Sequence, residues 1–155
     1  MKRVYANQAV CIGCHLCEVN CQMAHTGLKD PAKAFRRGRS APLPYVRVEV
    51  SRPVSFPAHC RHCEEPACVY ACLVGAMQKD AVTGVVRVDP ARCIGCWTCV
   101  LACPYGAVVQ DTRRQKAVKC DLCGGKDPAC VANCPNEALV YAEVQGDSDS
   151  GKAMR

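Results

Sequence analysis

The chain has 155 residues, 16 of them cysteine, with two Phe, one Trp and five Tyr, and a formal net charge of +6. So few large apolar side chains leave only a thin core, which excludes an ordinary self-sufficient hydrophobic fold and asks for staples such as disulfides or metals. No run approaches the roughly 18 apolar residues that a membrane span requires.

In chain order, Met1-Lys2-Arg3-Val4-Tyr5 starts basic, but no apolar stretch follows before Cys11. A secretory or twin-arginine signal is not read there, so a cytoplasmic location is expected. Thiols stay reduced in that compartment, and sixteen of them read as metal ligands rather than as a secreted disulfide scaffold. Short helices are predicted to go with the fourth cysteine of each group of four, over Cys17 to Ala24, Ala67 to Leu73, Cys99 to Cys103 and Ala129 to Cys134. Strands are predicted at Tyr45 to Val50, where apolar and polar residues alternate, and at Ala81 to Asp89, entered by a turn containing Gly84. Ala107 to Gln110 and Lys116 to Val118 read as a hairpin across Asp111 to Arg114, and Ala138 to Ala142 as the last strand. The class is α+β, with small antiparallel sheets and short helices. Residues 146–155, rich in Gly, Asp and Ser, read as a disordered tail.

The longest cysteine-free connection runs from Gln22 to His59 and carries Lys29, Lys33, Arg36, Arg37 and Arg39 among five prolines. Its bland reading is a solvated basic loop over the rest of the molecule. Its sharper reading is a docking surface for a protein partner, since Arg is enriched at interfaces.

The cysteines fall into four groups of four with none left over: Cys11, Cys14, Cys17, Cys21; Cys60, Cys63, Cys68, Cys72; Cys93, Cys96, Cys99, Cys103; and Cys120, Cys123, Cys130, Cys134. Groups one and three share the spacing C-x2-C-x2-C-x3-C, and groups two and four stretch only the middle gap. This is an internal repeat. Three closely spaced cysteines on a tight loop can hold three corners of a [4Fe–4S] cube. The fourth cysteine, expected at the start of a helix, ligates the other cluster of a pair. Gly13 and Gly95 let the backbone approach the inorganic sulfides. Pro104 and Pro135 fix φ where the chain leaves a cluster and suit a first helical turn. Structural zinc sites pair two C-x2-C knuckles and do not need the third cysteine three residues on, so four [4Fe–4S] clusters are preferred to zinc.

Those clusters also change the meaning of the charge. Each oxidised cluster with its four thiolates carries −2, so four of them turn the formal +6 into −2. The basic excess then compensates buried anions, and no nucleic acid is required. The quartets are complete without histidine, so His15, His59 and His62 are expected to reach cluster sulfur by hydrogen bonds rather than to ligate iron. Trp97, beside Cys96, reads as a shield. Gly124-Gly125 reads as slack in the middle gap of group four. No nucleophile elbow, phosphate-binding loop or dinucleotide fingerprint is present, and no catalytic residue is assigned.

Cys11-Ile12-Gly13-Cys14-His15-Leu16-Cys17, Cys60-Arg61-His62-Cys63-Glu64-Glu65-Pro66-Ala67-Cys68, Cys93-Ile94-Gly95-Cys96-Trp97-Thr98-Cys99 and Lys119-Cys120-Asp121-Leu122-Cys123 together resemble a known family. It is the four-cluster ferredoxin-like electron-transfer subunit of the dimethyl sulfoxide reductase type. The resemblance runs from about Val4 to Val144. It implies that group one pairs with group four, and group two with group three. One cluster then takes Cys11, Cys14, Cys17 and Cys134, and its mate Cys120, Cys123, Cys130 and Cys21. A third takes Cys60, Cys63, Cys68 and Cys103, and a fourth Cys93, Cys96, Cys99 and Cys72.

Two bacterial-ferredoxin-like halves follow, residues 1–55 with 108–145 and residues 56–107. A nitrate reductase branch of the family has Trp in place of a group-three cysteine. Here Cys96 is present, so four cubanes are expected. Leu73 and Gln22 stand where many relatives carry Pro. The short chain is similar to small subunits of tungsten aldehyde oxidoreductase or carbon monoxide dehydrogenase systems. The resemblance implies a chain that is not catalytic alone. It would relay electrons between a large tungsten or molybdenum oxidoreductase subunit and a ferredoxin or a flavin- or NAD-linked partner, and self-association could extend the row. Formate dehydrogenase and hydrogenase systems, and a free polyferredoxin, are the alternatives.

Overall fold

The computed structural model describes residues 2–28, 30–36 and 42–143. Lys29, Arg37, Arg39 and the tail 146–155 lie outside the described residues. Strand β1 (Lys2–Ala6) is followed by helices α1 (Leu16–Thr26) and α2 (Pro31–Ala34), then by β2 (Val46–Ser51) and β3 (Val54–His59). Next come α3 (Ala67–Tyr70), β4 (Met77–Lys79), β5 (Val86–Val88), α4 (Thr98–Ala102), β6 (Val108–Asp111), β7 (Lys116–Lys119), α5 (Ala129–Ala132) and β8 (Leu139–Glu143). The strands form antiparallel two-stranded ribbons, β2 with β3, β4 with β5, β6 with β7, and the first strand with the last. In that last pair Lys2 faces Glu143 and Ala6 faces Leu139. No described helix is long and apolar enough to cross a membrane.

Local chemistry sets the element bounds. The strand predicted from Ala81 begins only at Val86, because the Asp80 carboxylate accepts the amides of Val82 (3.0 Å) and Thr83 (2.6 Å) and holds that stretch as a turn. Asp111 makes the same kind of turn between β6 and β7, accepting the amides of Arg113 and Arg114. Helix α1 runs on to Thr26 and stops at Gly27, whose φ is +69°. With Gln22 rather than proline after Cys21, nothing breaks it. The connection from Gln22 to His59 therefore holds regular structure: the end of α1, α2 capped by Asp30, and the β2–β3 hairpin.

One expectation is corrected. The third cysteine of each group, not the fourth, opens a helix: Cys17, Cys68, Cys99 and Cys130 are each the second residue of α1, α3, α4 and α5. Cys72, Cys103 and Cys134 come at or just past the helix end, where the carbonyl of each accepts an amide three residues on. Pro104 and Pro135 accordingly lie in turns after α4 and α5, not in a first helical turn.

Two buried clusters form the interior. One gathers Ala76, Met77, Val86, Val108 and Ala117 around Cys68, Cys93 and Cys99. The other gathers Val4, Val46, Val85, Leu122 and Leu139 around Cys17 and Cys21. No described Phe, Tyr or Trp side chain is fully buried. The group-three loop is pinned to the β6–β7 turn at Gly95. Its φ is +71°, and a Cβ there would stand 2.5 Å from the carbonyl oxygen of Gln115. Gly95→Ala is therefore expected to cost about 2–4 kcal/mol, combining left-handed strain with overpacking. Gly106→Ala, at φ +57° with open space around the new methyl, should cost only about 1–2 kcal/mol. Anaerobic thermal melting of the two variants checks the ranking; equal losses would contradict it.

Candidate iron–sulfur sites

The repeat seen in the cysteine spacing recurs in the backbone. The residue just before the second cysteine is left-handed in all four groups: Gly13 (φ 65°), His62 (47°), Gly95 (71°) and Leu122 (54°). The residue just after it is left-handed in three, at His15 (60°), Trp97 (64°) and Gly124 (69°). Each such non-glycine costs about 1–2 kcal/mol, so these loops are held in shape by their surroundings. In group four, Leu122, Cys123, Gly124 and Gly125 are left-handed in succession. Gly124-Gly125 thus shapes a coil, which corrects the reading of it as slack.

The loops stand around hollows. One is lined by Cys11, Cys14, Cys17 and Cys134. A second is lined by Cys21, Cys120, Cys123 and Cys130. A third is lined by Cys60, Cys63, Cys68 and Cys103. Each takes three cysteines from one group and one from another. The remaining four are also neighbours. Burial pushes the Cys99 thiol up, and charge on Cys72, Cys93 and Cys96 adds to the shift. No three described His, Cys, Asp or Glu side chains are grouped so as to hold a single metal ion; the sulfurs surround volumes instead.

Backbone amides point at the sulfurs. Cys72 Sγ accepts from Ala76 (3.2 Å) and Met77 (3.3 Å), Cys103 Sγ from Ala107 (3.4 Å), and Cys134 Sγ from Ala138 (3.2 Å). Cys21 departs from this pattern because α1 continues past it; its sulfur accepts from the distant Tyr45 amide at 3.3 Å. Cys60 and Cys120 accept from the amides two residues on. Such donors favour the ligating thiolate and raise the potential of a bound cluster. Burial pushes the free thiols the other way, Cys17 and Cys68 to about 11 and Cys130 to about 12. Iron uptake therefore releases protons here.

The histidines sort differently from expectation. The side chains of His15 and His59 do not reach sulfur: His15 meets Glu18 at 3.1 Å, and His59 bonds the carbonyls of Pro57 and Val4. The His62 ring is fully buried and accepts the Val86 amide at Nδ1, 3.0 Å away. Burial, reinforced by Lys119 and Arg3, holds its pKa down at about 3. The histidine beside sulfur is His25, not singled out in the sequence, with Nδ1 4.0 Å from Cys21 Sγ and Nε2 3.2 Å from Asp121. The Asp121 carboxylate, followed by Cys21, holds His25 up at about 10. Its signal was the i, i+4 spacing from Cys21 on a helix. Trp97 is half-buried at the head of α4.

Four-sulfur hollows, amide donors on the sulfurs and short helices joined by small ribbons fit cubane iron–sulfur centres and define a ferredoxin-like protein. The chain belongs to the 4Fe-4S dicluster domain family, whose model matches residues 52–144, with a 4Fe-4S binding domain matching residues 8–24. With its sixteen cysteines it is a protein of four [4Fe–4S] clusters. It is 37% identical to the electron transport protein HydN of Escherichia coli K12, over 90% of this chain and 87% of that one. It is 38% identical to an iron-sulfur protein of Rhodospirillum rubrum, over 91% and 82%. With a sulfite dehydrogenase subunit of Allochromatium vinosum it shares 36% identity, over 94% and 70%.

Proposed function

We propose that the chain is the electron-transfer subunit of an oxidoreductase complex and makes or breaks no substrate bond itself. The observation that carries this reading is the gathering of the cysteines into four-sulfur hollows, in a family whose relatives include an electron transport protein and a dehydrogenase subunit. When bound, the clusters carry electrons one at a time between a catalytic partner and an acceptor.

The lining of the three hollows supports three ligand sets, and the remaining cysteines make the fourth. Cys11, Cys14, Cys17 and Cys134 hold one cluster, and Cys120, Cys123, Cys130 and Cys21 a second. Cys60, Cys63, Cys68 and Cys103 hold a third, and Cys93, Cys96, Cys99 and Cys72 a fourth. Two ferredoxin-like halves result, one from groups one and four and one from groups two and three. The β6–β7 hairpin lends Val108 and Ala117 to the second half. The halves meet near Cys60 and Cys120, where burial chiefly pushes the Cys120 thiol up and charge on Cys60 adds to it. The outer sites reach the surface. Cys14 and Cys96 are exposed, beside Ile12 and Ile94 at 62% exposure each. These two ends suit contact with a partner on one side and an acceptor, or a second copy, on the other.

The catalytic partner is a separate large subunit. A tungsten aldehyde oxidoreductase remains the choice made from the family resemblance, although none of the relatives named above is described as a tungsten enzyme. An anaerobic pull-down from the host, with mass spectrometry and elemental analysis of what is retained, tests the reading. A stoichiometric large partner carrying tungsten or molybdenum is expected. Nickel instead would redirect the reading to a carbon monoxide dehydrogenase or hydrogenase. Iron and sulfide with no stoichiometric partner would contradict the subunit reading and leave a free polyferredoxin.

A further inference from the structure

We propose that Lys119 is a buried counter-charge shared by two cluster sites, that of Cys60, Cys63, Cys68 and Cys103 and that of Cys120, Cys123, Cys130 and Cys21, and that it raises the reduction potentials of both. The inference rests on the ligand reading given under the proposed function.

Lys119 is the last residue of β7 and stands directly before Cys120. It is only 3% exposed. Its Nζ donates to two main-chain carbonyls, of Val86 at 2.5 Å and of Cys120 at 2.7 Å. No described carboxylate pairs with it. The same side chain lines the third hollow, while Cys120 lines the second. Its position is fixed from the far side as well. The Val86 amide donates to the fully buried His62 ring, and the Val86 carbonyl accepts from Lys119. One residue of β5 thus locks both side chains at the seam between the two sites.

A buried ammonium with only neutral acceptors is costly. The compensation available here is the negative charge of the sites on either side, which a bound centre carries as part of the local electrostatics. One-electron reduction adds a further negative charge to a site without making or breaking a bond. A cation in the dry interior favours that added charge, and the effect is little screened by salt. It also offsets the repulsion that reduction of one site imposes on its neighbour. Lys119 lines the third hollow together with Arg61 and reaches the second through the Cys120 carbonyl, whereas the hollow of Cys11, Cys14, Cys17 and Cys134 has neither Lys119 nor Cys120 in its lining.

The test is a dithionite titration of the whole chain in the presence of one-electron mediators, followed by EPR, with signals assigned through Cys60→Ser and Cys120→Ser. Lys119→Gln keeps a donor and removes the charge. It should lower the midpoint potentials of the two flanking sites, each by at least a tenfold change in the reduction equilibrium, about 59 mV for a one-electron couple. The site of Cys11 should not move, and Lys119→Arg should restore the wild-type values. A fully loaded Lys119→Gln protein with unchanged potentials, or with all four shifted equally, would overturn the inference. Should Lys119→Gln fail to load, Lys119→Arg decides alone: retained potentials support the counter-charge, and displaced ones reject it. A wild-type chain without iron and sulfide would instead reject the ligand reading, whatever Lys119 does.

Discussion

Anaerobic removal of iron with a chelator and a mild oxidant is expected to abolish cooperative folding, with loss of dispersed NMR signals and of a sharp thermal transition. The largest fully buried side chains are Met77, Leu122, Leu139, His62, Val86 and Pro57, with no Phe, Tyr or Trp among them. The sheets are separate two-stranded ribbons, which are marginal in water by themselves. Three of the helices, α2, α3 and α5, have four residues, far below the roughly 12–15 at which an isolated helix begins to be stable. Cysteines occupy both buried clusters, so the metal centres take the place of apolar core. Small domains have only about 5–15 kcal/mol of net stability, and ligation in comparable metal-stapled domains supplies about 10–16 kcal/mol. Loss of the centres therefore exceeds what the remaining core can hold. An iron-free chain that melts cooperatively, within a few degrees of the loaded protein, would contradict this.

Cys134→Ser is expected to disturb a cluster whose other ligands lie more than a hundred residues earlier. Cys134 shares its hollow with Cys11, Cys14 and Cys17, not with Cys120, Cys123 and Cys130. The variant should lose or convert that one cluster, up to about a quarter of the iron, while the EPR signal of the Cys120 site persists. The β1–β8 ribbon pairs Lys2–Ala6 with Leu139–Glu143, so loss of this site should also loosen that ribbon. Cys21→Ser is the reciprocal case and should alter the Cys120 site alone. An altered Cys120 signal in Cys134→Ser, with the Cys11 site intact, would show that each group ligates its own cluster and would reject the cross-paired ligand sets.

Much of this was written in the cysteine spacing. Sixteen cysteines in four quartets define the centres because cubane ligation needs four thiolates at short, regular intervals, and that demand leaves a pattern in one dimension. The β6–β7 hairpin was legible for a similar reason, since Asp111 announces its turn locally. What the sequence hid depends on distance. β1 is a short basic segment, Lys2 to Ala6, and pairs only with β8 at the far end of the chain. β3 carries Pro57, which argues against a strand until its place in a lone hairpin is known. The starts at Ala67 and Ala129 were legible, and those at Cys17 and Cys99 fall one residue inside α1 and α4, where the left-handed residue before the helix is His15 or Trp97, neither a normal cap. Lys119 and His62 were invisible as interior residues, since lysine is read as solvated and the histidine sat among ligands that already filled every iron corner. Only the fold shows that both converge on the backbone of Val86.

If four [4Fe–4S] centres in this chain carry electrons between partners, iron and acid-labile sulfide must both be present in the anaerobically purified protein and answer to an EPR-monitored reductive titration. Four irons and four sulfides are expected for each of four clusters, all reducible in one-electron steps, with magnetic coupling between neighbouring centres. Zinc in place of iron, or a sulfide content too low for four cubanes, would contradict the claim.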